Sequence, residues 1–598
     1  MATVPMTLPD APLRPVRRSG NRNAVRAALV LGLYLVPAIV AYGHAWAHPA
    51  SVAIGSGNGD PAQSMWYLKW VPWAIGHGQN PLFTTLANYP RGVNVVVQTS
   101  TLALGLAVSP ITLLWGPVAA YNLLITLAFP LSAGAGYLLA RRFTTWRPAA
   151  FVAGLFYGFS PYMVGQGLGH LNLVFVPLPP LIFLVLHTIV VRQTGSPLRW
   201  GLALGGLAVC QFFISTEILA TTVLFAGVAV LVVALANPSA LRLHARFACI
   251  GLGVAAVVAA ALLAYPIHVL LSGPQHVSGP TPGFENYTSA FFGPLLPPST
   301  MALSTPHLRQ MAAHIGGDGA ENGSYLGVPA VLLVVIGTLV VRRRAVWVAA
   351  SLALVGFVIS IGSHFRLGIP SLAGFGSSVP LPALRLGQVP LLQDAYPARY
   401  TLYIALFASL VIAMTLEALR ARLAQRRRAL VVPAVVAVVT LLPLVPAWPY
   451  PSQGPVAVPS YFSSAAVDSI PPGSVTVAYP WPDNKDNRAQ LWQAAADLRF
   501  RMPGGYFIVP SGPSHAFSYA PVTLASTVLD QLALGPVPSQ TPALRRRLRD
   551  EFGGWKVQSI VVLPPTGAPL AFFTWLTGQA PGQVSGGVAV WYHLRWKT

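Results

Sequence analysis

Over 598 residues the chain is 54% hydrophobic and only 9% charged, with a mean hydropathy of +0.60, which excludes an ordinary soluble protein. Its 37 basic residues against 15 acidic ones give a net charge of +22, but the Arg clusters fall between hydrophobic runs, so the charge marks membrane topology and argues against nucleic acid as a partner. Cys210 and Cys249 both sit in apolar runs, which excludes a disulfide framework and leaves them as packing residues.

A bilayer span takes roughly 20 apolar residues. Placing Arg14 to Arg26, Arg141 to Arg147, Arg192 and Arg199, Arg242 and Arg246, Arg342 to Arg344 and Arg420 to Arg428 in the cytoplasm makes every alternate connection basic. The chain is thus expected to be an α-helical polytopic membrane protein with about eleven spans: 26–46, 118–140, 148–164, 174–191, 200–215, 218–236, 247–271, 326–341, 345–363, 400–419 and 429–447. The N-terminus lies inside in this reading, and the C-terminal segment lies outside. Residues 101–117 would put Arg141 and Arg142 on the wrong side if they spanned, so they are expected to be re-entrant or interfacial.

Residues 1–25, rich in Pro and Arg without apolar periodicity, read as a disordered cytoplasmic tail. The membrane domain follows over 26–449, with external loops 47–117, 272–325 and 364–399. Ala45-Trp46-Ala47 has some likeness to a signal-peptidase site, but cleavage there would unanchor the loop that follows.

The first external loop opens with Gly57-Asn58-Gly59-Asp60-Pro61, Asp60 being the first acid after the tail. Asp before Pro also makes a good helix N-cap. Trp66, Trp70 and Trp73 fall on one helical face, a pattern suited to a helix lying in the bilayer interface. Later come Tyr89-Pro90-Arg91-Gly92, with Arg91 a rare external cation, and Gly169-His170-Leu171. His170 reads either as a structural helix-end residue or as an acid/base or phosphate ligand. Glu217, in Ser215-Thr216-Glu217, sits at the membrane edge among apolar residues, either capping a helix or serving function. Asp318-Gly319-Ala320-Glu321-Asn322 precedes span eight. Arg399, in Pro397-Ala398-Arg399-Tyr400, sits on the outside against the topological rule and implies an anionic partner, Asp394 or a lipid phosphate.

From 450 to 598 charged residues return. Runs at 475–479, 559–563 and 588–592 read as strands and those near 487–499 and 541–552 as helices, a small external α/β domain. Arg545-Arg546-Arg547 with Arg549 reads as a solvated helix face, or one touching anionic headgroups.

Apart from Asp10, Glu417 and the C-terminal acids, every acidic residue lands on the external side: Asp60, Glu217, Glu285, Asp318, Glu321 and Asp394. An ion-coupled carrier would place ionisable groups midway through its spans. Nucleotide-binding, zinc-protease and serine-hydrolase signatures are missing. Chemistry at the outer surface therefore fits best.

Gly59-Asp60-Pro61, His77-Gly78-Gln79-Asn80-Pro81-Leu82, Tyr89-Pro90-Arg91-Gly92, Gly169-His170-Leu171, Ser215-Thr216-Glu217 and Glu321-Asn322-Gly323-Ser324-Tyr325-Leu326-Gly327 together resemble the GT-C glycosyltransferases, in a bacterial branch. The resemblance covers about the first 330 residues, and Pro397-Ala398-Arg399-Tyr400 extends it. It implies a cell-envelope transferase of hexosyl or pentosyl groups, moving sugar with inversion from a polyprenyl-phosphate donor to a glycan, lipid or protein acceptor. Asp60 would be the general base, and Arg399 would hold the phosphate, with Arg91 and His170 as further candidates. Glu217 and Glu321 would bind sugar hydroxyls or a divalent ion, and Trp66 would be a further substrate-binding residue. The family often pairs its first acid with a second, whereas Gly59-Asp60-Pro61 offers one, which leaves the metal open. A lipid or polysaccharide transporter and a non-catalytic envelope-assembly protein are the alternatives. Ala-, Val- and Arg-rich usage is that of a GC-rich bacterial genome.

Overall fold

The computed structural model describes residues 20–596 apart from 56, 99, 237, 373, 375, 425–427, 451–452, 520–521 and 536. The tail expected over 1–25 lies outside the described residues as far as 19, and Gly20–Ala41 is one helix.

Among the described residues five helices are long and apolar enough to cross a membrane: Ser109–Ala140, Leu171–Arg192, Thr216–Leu235, Ala245–Ser272 and Pro397–Arg422. The most apolar window of Pro397–Arg422 is 83% buried, against 22% for Thr216–Leu235 and Ala245–Ser272, so the first is the bundle's central post and the other two present side chains outward. Shorter apolar helices include Val25–Ala41, Val328–Val340, Arg344–Ser360 and Val431–Leu444.

Expected spans break where backbone chemistry requires. Within 148–164, Ser160 precedes Pro161 and is driven to extended backbone (φ −61°, ψ 159°), which ends the helix Arg147–Gly158. Ser160 then caps a new short helix, Pro161–Gln166, by accepting from the Met163 amide. Near 101–117, Leu102–Ala107 is a separate turn and Gly116 (φ 84°, ψ 168°) interrupts Ser109–Ala140. Leu113, Leu114 and Trp115 on that segment are exposed.

Beyond 455 the chain builds a four-stranded sheet in the order Val475–Tyr479, Val557–Val562, Val588–Trp591, Gln583–Ser585, with the first pair parallel and the others antiparallel. Alternate side chains feed two cores. Val477 and Ile560 face Leu529, Phe552 and Phe573, while Ala478 and Val561 face Phe462 and Trp492. Arg545 and Arg549, read as a solvated face, instead donate to the Leu576 and Thr577 carbonyls at the end of the Gly567–Thr577 helix.

This sheet region is sewn to the first long loop. Val52–Ile54 pairs antiparallel with Gln453–Pro455. Trp66, expected at the bilayer interface and as a substrate-binding residue, is wholly buried instead. Its indole N–H donates to Gln493 Oε1 at 2.6 Å, and it packs with Leu498 and Phe507. The periodicity was that of a buried face, and its partner is protein rather than lipid.

Candidate active site

Asp60 begins the Asp60–Gly76 helix just after Gly59, whose φ of 67° suits a residue without a Cβ. Asn487, from the sheet region, fixes this turn: its side chain accepts from the Gly59 amide and donates to the Gly59 carbonyl, both at 2.8 Å. Its own backbone N–H donates to Asn58 Oδ1 at 2.8 Å. Asp60 does not use its carboxylate as a helix cap; the partners are His170 and Tyr506.

His170 arrives through a close approach. A Cβ on Gly169 would stand 2.9 Å from the Pro61 ring, so only glycine lets the Gly169-His170 turn sit against Asp60-Pro61. His170 Nε2 then lies 2.8 Å from Asp60 Oδ2, and Nδ1 lies 2.7 Å from Gln166 Oε1. Gln166 donates onward to Glu321 Oε2 at 3.0 Å and to the Ala320 carbonyl at 3.2 Å. Asp318 shapes that carrier loop by accepting from the Ala320 and Glu321 amides, both at 2.9 Å.

Arg399 completes the chain of contacts. Nε and Nη2 donate to Glu321 Oε1 at 2.8 and 2.6 Å, and Nη1 donates to Glu217 Oε2 at 2.6 Å. The guanidinium also stands 4.4 Å from the Tyr396 ring centroid. Ser215 caps the helix that carries Glu217 by accepting from the Ile218 amide, so the Glu217 carboxylate is left for Arg399. The other oxygen, Oε1, is buried and has no hydrogen-bond partner among the described residues.

These groups border a cavity of about 260 Å³, lined by Asp60, His170, Glu217, Asp394 and Arg399. Leu270 and Leu271, on the outward-facing Ala245–Ser272 helix, form part of its wall, and Leu271 is 55% exposed. Asp394 is braced by the Thr281 amide and hydroxyl at 3.1 and 2.9 Å. Burial pushes its carboxyl above the usual carboxylate range, with the two Thr281 hydrogen bonds opposing.

Burial alone would raise Asp60. The hydrogen bond and charge of His170, the Tyr506 hydroxyl and the Arg399 charge more than offset it and hold Asp60 below the ordinary carboxylate range. His170 moves the other way: burial disfavours its cation, but bonding to Asp60, with Glu321 behind, raises it. The pairing thus favours the charged form of each group, the carboxylate of Asp60 and the cation of His170.

The sheet region supplies the opposite wall through Tyr506, Ile508, Phe517 and Tyr519. Three glutamines hold its approach. Gln63 donates to the Tyr506 carbonyl at 2.6 Å, Gln490 accepts from the Tyr506 amide at 3.1 Å, and Gln98 exchanges two 2.6 Å hydrogen bonds with the backbone of Ile508.

Five residues singled out in the sequence therefore meet here: Asp60, His170, Glu217, Glu321 and Arg399. Trp66 does not line the cavity, and neither does Arg91, which is exposed in the turn after Pro90. Gln166, Tyr506, Phe517 and Tyr519 are additions from the structure; no charge or periodicity marks them. No group of three His, Cys, Asp or Glu among the described residues is arranged to hold a metal ion, and Glu217 and Glu321 are turned onto Arg399.

The fold is similar to that of a solved arabinofuranosyltransferase. It superposes on a point mutant of the arabinofuranosyltransferase AftD from Mycobacteria with a TM-score of 0.50 at 15% identity, over 96% of this chain and 42% of that one. Weaker likenesses are to the archaeal oligosaccharyltransferase AglB from Archaeoglobus fulgidus, in complex with an inhibitory peptide and a dolichol-phosphate (TM-score 0.47, 12% identity, 93% and 71% of the two chains), and to ArnT from Cupriavidus metallidurans bound to undecaprenyl phosphate (TM-score 0.37, 11% identity, 96% and 98%). The chain spans about 40% of the length of AftD. No curated protein matches it by sequence. The family model described as "Domain of unknown function (DUF6311)" matches residues 29–382, and the chain belongs to that family.

Proposed function

We propose that the chain transfers a sugar from a polyprenyl-phosphate donor to a glycan, lipid or protein acceptor at the extracytoplasmic face of the membrane, with Asp60 as general base. The observation that carries this reading is Asp60, held by His170, at the edge of a cavity walled on one side by Leu270 and Leu271 of the outward-facing Ala245–Ser272 helix. A donor with a prenyl tail can reach such a cavity from the bilayer while the acceptor comes from water. Nucleotide sugars are lacking outside a cell, so the activated donor there has to be lipid-borne.

In the reaction the acceptor hydroxyl gives its proton to Asp60 as its oxygen attacks the anomeric carbon. The bond from that carbon to the phosphate oxygen breaks, and the polyprenyl phosphate departs with the electron pair. One displacement inverts the anomeric centre. Arg399 spends three of its five N–H donors on Glu321 and Glu217, and we assign the remaining two, with the charge of His170, to the departing phosphate. To Glu217, whose Oε1 lacks a hydrogen-bond partner among the described residues, we assign a sugar hydroxyl. Arg91 and Trp66 have no part in this scheme. The residues present do not compose a metal ligand set, so no step is routed through one.

The same reading places the Asp60 end of the bundle outside the cell and the basic loops in the cytoplasm, with about eleven crossings in all. The test is transfer of labelled pentose or hexose from synthetic polyprenyl-phosphate sugars by the purified chain, with Asp60→Asn as control. Transfer by the native chain and loss in the variant, with membrane insertion intact, is the expected result. An unimpaired Asp60→Asn enzyme would remove Asp60 from the chemistry.

A further inference from the structure

A second polar recess lies farther along the helix that carries Asp60. Trp73 is thirteen residues after Asp60, about 20 Å along the axis at the usual helical rise. Trp66, Trp70, Trp73 and His77 form a continuous ring stack with centroid spacings of 5.9, 5.7 and 4.1 Å. The inner rings are buried, Trp73 is half-buried and His77 is exposed. The outer end of this stack borders a recess of about 660 Å³ between the first long loop and the sheet region. It adjoins a second recess of about 340 Å³, sharing Gly473 and Arg501 with it. Neither shares a lining residue with the Asp60 cavity.

The charges in this groove do not cancel. Lys69 is paired with Asp497 at 2.6 Å, and Arg499 with Asp468 at 2.9 Å. Arg501 and Lys556 have no carboxylate within 4.0 Å among the described residues. Arg501 instead lies over the Tyr89 ring at 5.4 Å. In the second recess Tyr89 and Trp596 line the wall beside these two cations. Aromatic rings at both ends offer faces for the C–H surfaces of sugars, and two unpaired cations between them offer charge-assisted hydrogen bonds to anionic substituents.

We propose that this groove holds the acceptor away from its point of transfer, and that the acceptor is an acidic oligosaccharide. Its carboxylate or phosphate groups meet Arg501 and Lys556 while a sugar ring stacks on the outer face of His77, which Trp73 backs. The inference rests on the glycosyltransferase reading for the word acceptor, but the binding it asserts does not need turnover.

The test is fluorescence anisotropy of labelled octagalacturonate with the full chain in detergent, without donor, against neutral maltooctaose. Octagalacturonate is expected to bind at least tenfold more tightly than maltooctaose, and more weakly as salt rises. The double variant Arg501→Gln and Lys556→Gln, at positions that carry no ion pair, is expected to lose at least tenfold of that affinity, and Trp73→Ala at least fivefold. Equal affinity for both oligosaccharides, or an unchanged double variant, overturns the proposal. So does displacement of the sugar by phosphatidylglycerol vesicles, which would make the groove a lipid headgroup site. Binding as expected from a chain whose transfer survives Asp60→Asn would leave the groove standing and sink only the catalytic assignment.

Discussion

Arg399 and Arg343 each hold a glutamate on the same central helix bundle, but to different ends. Glu417 is closed off: Oε1 accepts from the Thr145 amide and hydroxyl and the Trp146 amide at 2.7, 2.8 and 3.1 Å, and Oε2 pairs with Arg343 at 3.0 Å. No cavity among those described opens on it. At the Arg399 cluster two carboxylates share one guanidinium, Glu217 keeps a buried oxygen without a partner, and a cavity lies in front. A charged group that is fully satisfied fastens loops together; one left short of partners beside open space is prepared for a ligand.

The contrast is broken first by Asp60→Asn, expected to lower transfer about 10²–10⁴-fold, the usual worth of general base catalysis, in a chain that still folds and inserts into the membrane. Measurable transfer near the native rate would end the comparison. Next, Arg399→Met strands Glu217 and Glu321 as buried carboxylates and is expected to cost about 3–5 kcal/mol of stability, read by thermal or denaturant unfolding in detergent. Glu417→Gln is expected to cost less, about 1–3 kcal/mol through weakened hydrogen bonds to Thr145 and Arg343, with kcat unchanged in the folded fraction.

The smallest effect concerns pH. Asp60 is held below its ordinary value, so its base form and the stability from its pairing persist above about pH 4 and are lost as pH falls through the depressed pKa. His170 is raised, so its contribution is full below about pH 6.5 and is lost as pH rises through its folded value. The acid limb of kcat/KM is therefore expected below about pH 4. Tyr506→Phe removes one donor to Asp60 and is expected to move that limb upward; an unmoved limb would deny Tyr506 its role.

Much of the site was legible because ionisable groups are rare in an apolar chain. Glu217 stood out at a membrane edge and Arg399 on a side where arginine is disfavoured, and each proves to be the other's partner. Arg399 was expected to meet Asp394 or a phosphate; of the acids, Glu217 and Glu321 hold it rather than Asp394, because which acids lie within reach depends on how helices and loops converge. Trp66 shows the limit of periodicity: a 3.6-residue pattern tells that one face is apolar, not whether lipid or Phe507 covers it. Tyr506 and Gln166 carry no charge and stand in ordinary surroundings, so nothing local marked them.

What the sequence settled by itself was the medium and the chemistry on offer: a membrane body, from hydropathy, and a short roster of acids and one misplaced arginine, from scarcity. The tertiary structure alone decided the pairings, the cavity and the second wall, since Asn487, Gln493 and Ile508 reach the first loop across some 400 residues. Local patterns reflect each segment's solvent preference. Contacts between distant segments are set by packing of the whole chain, and no window of sequence contains that.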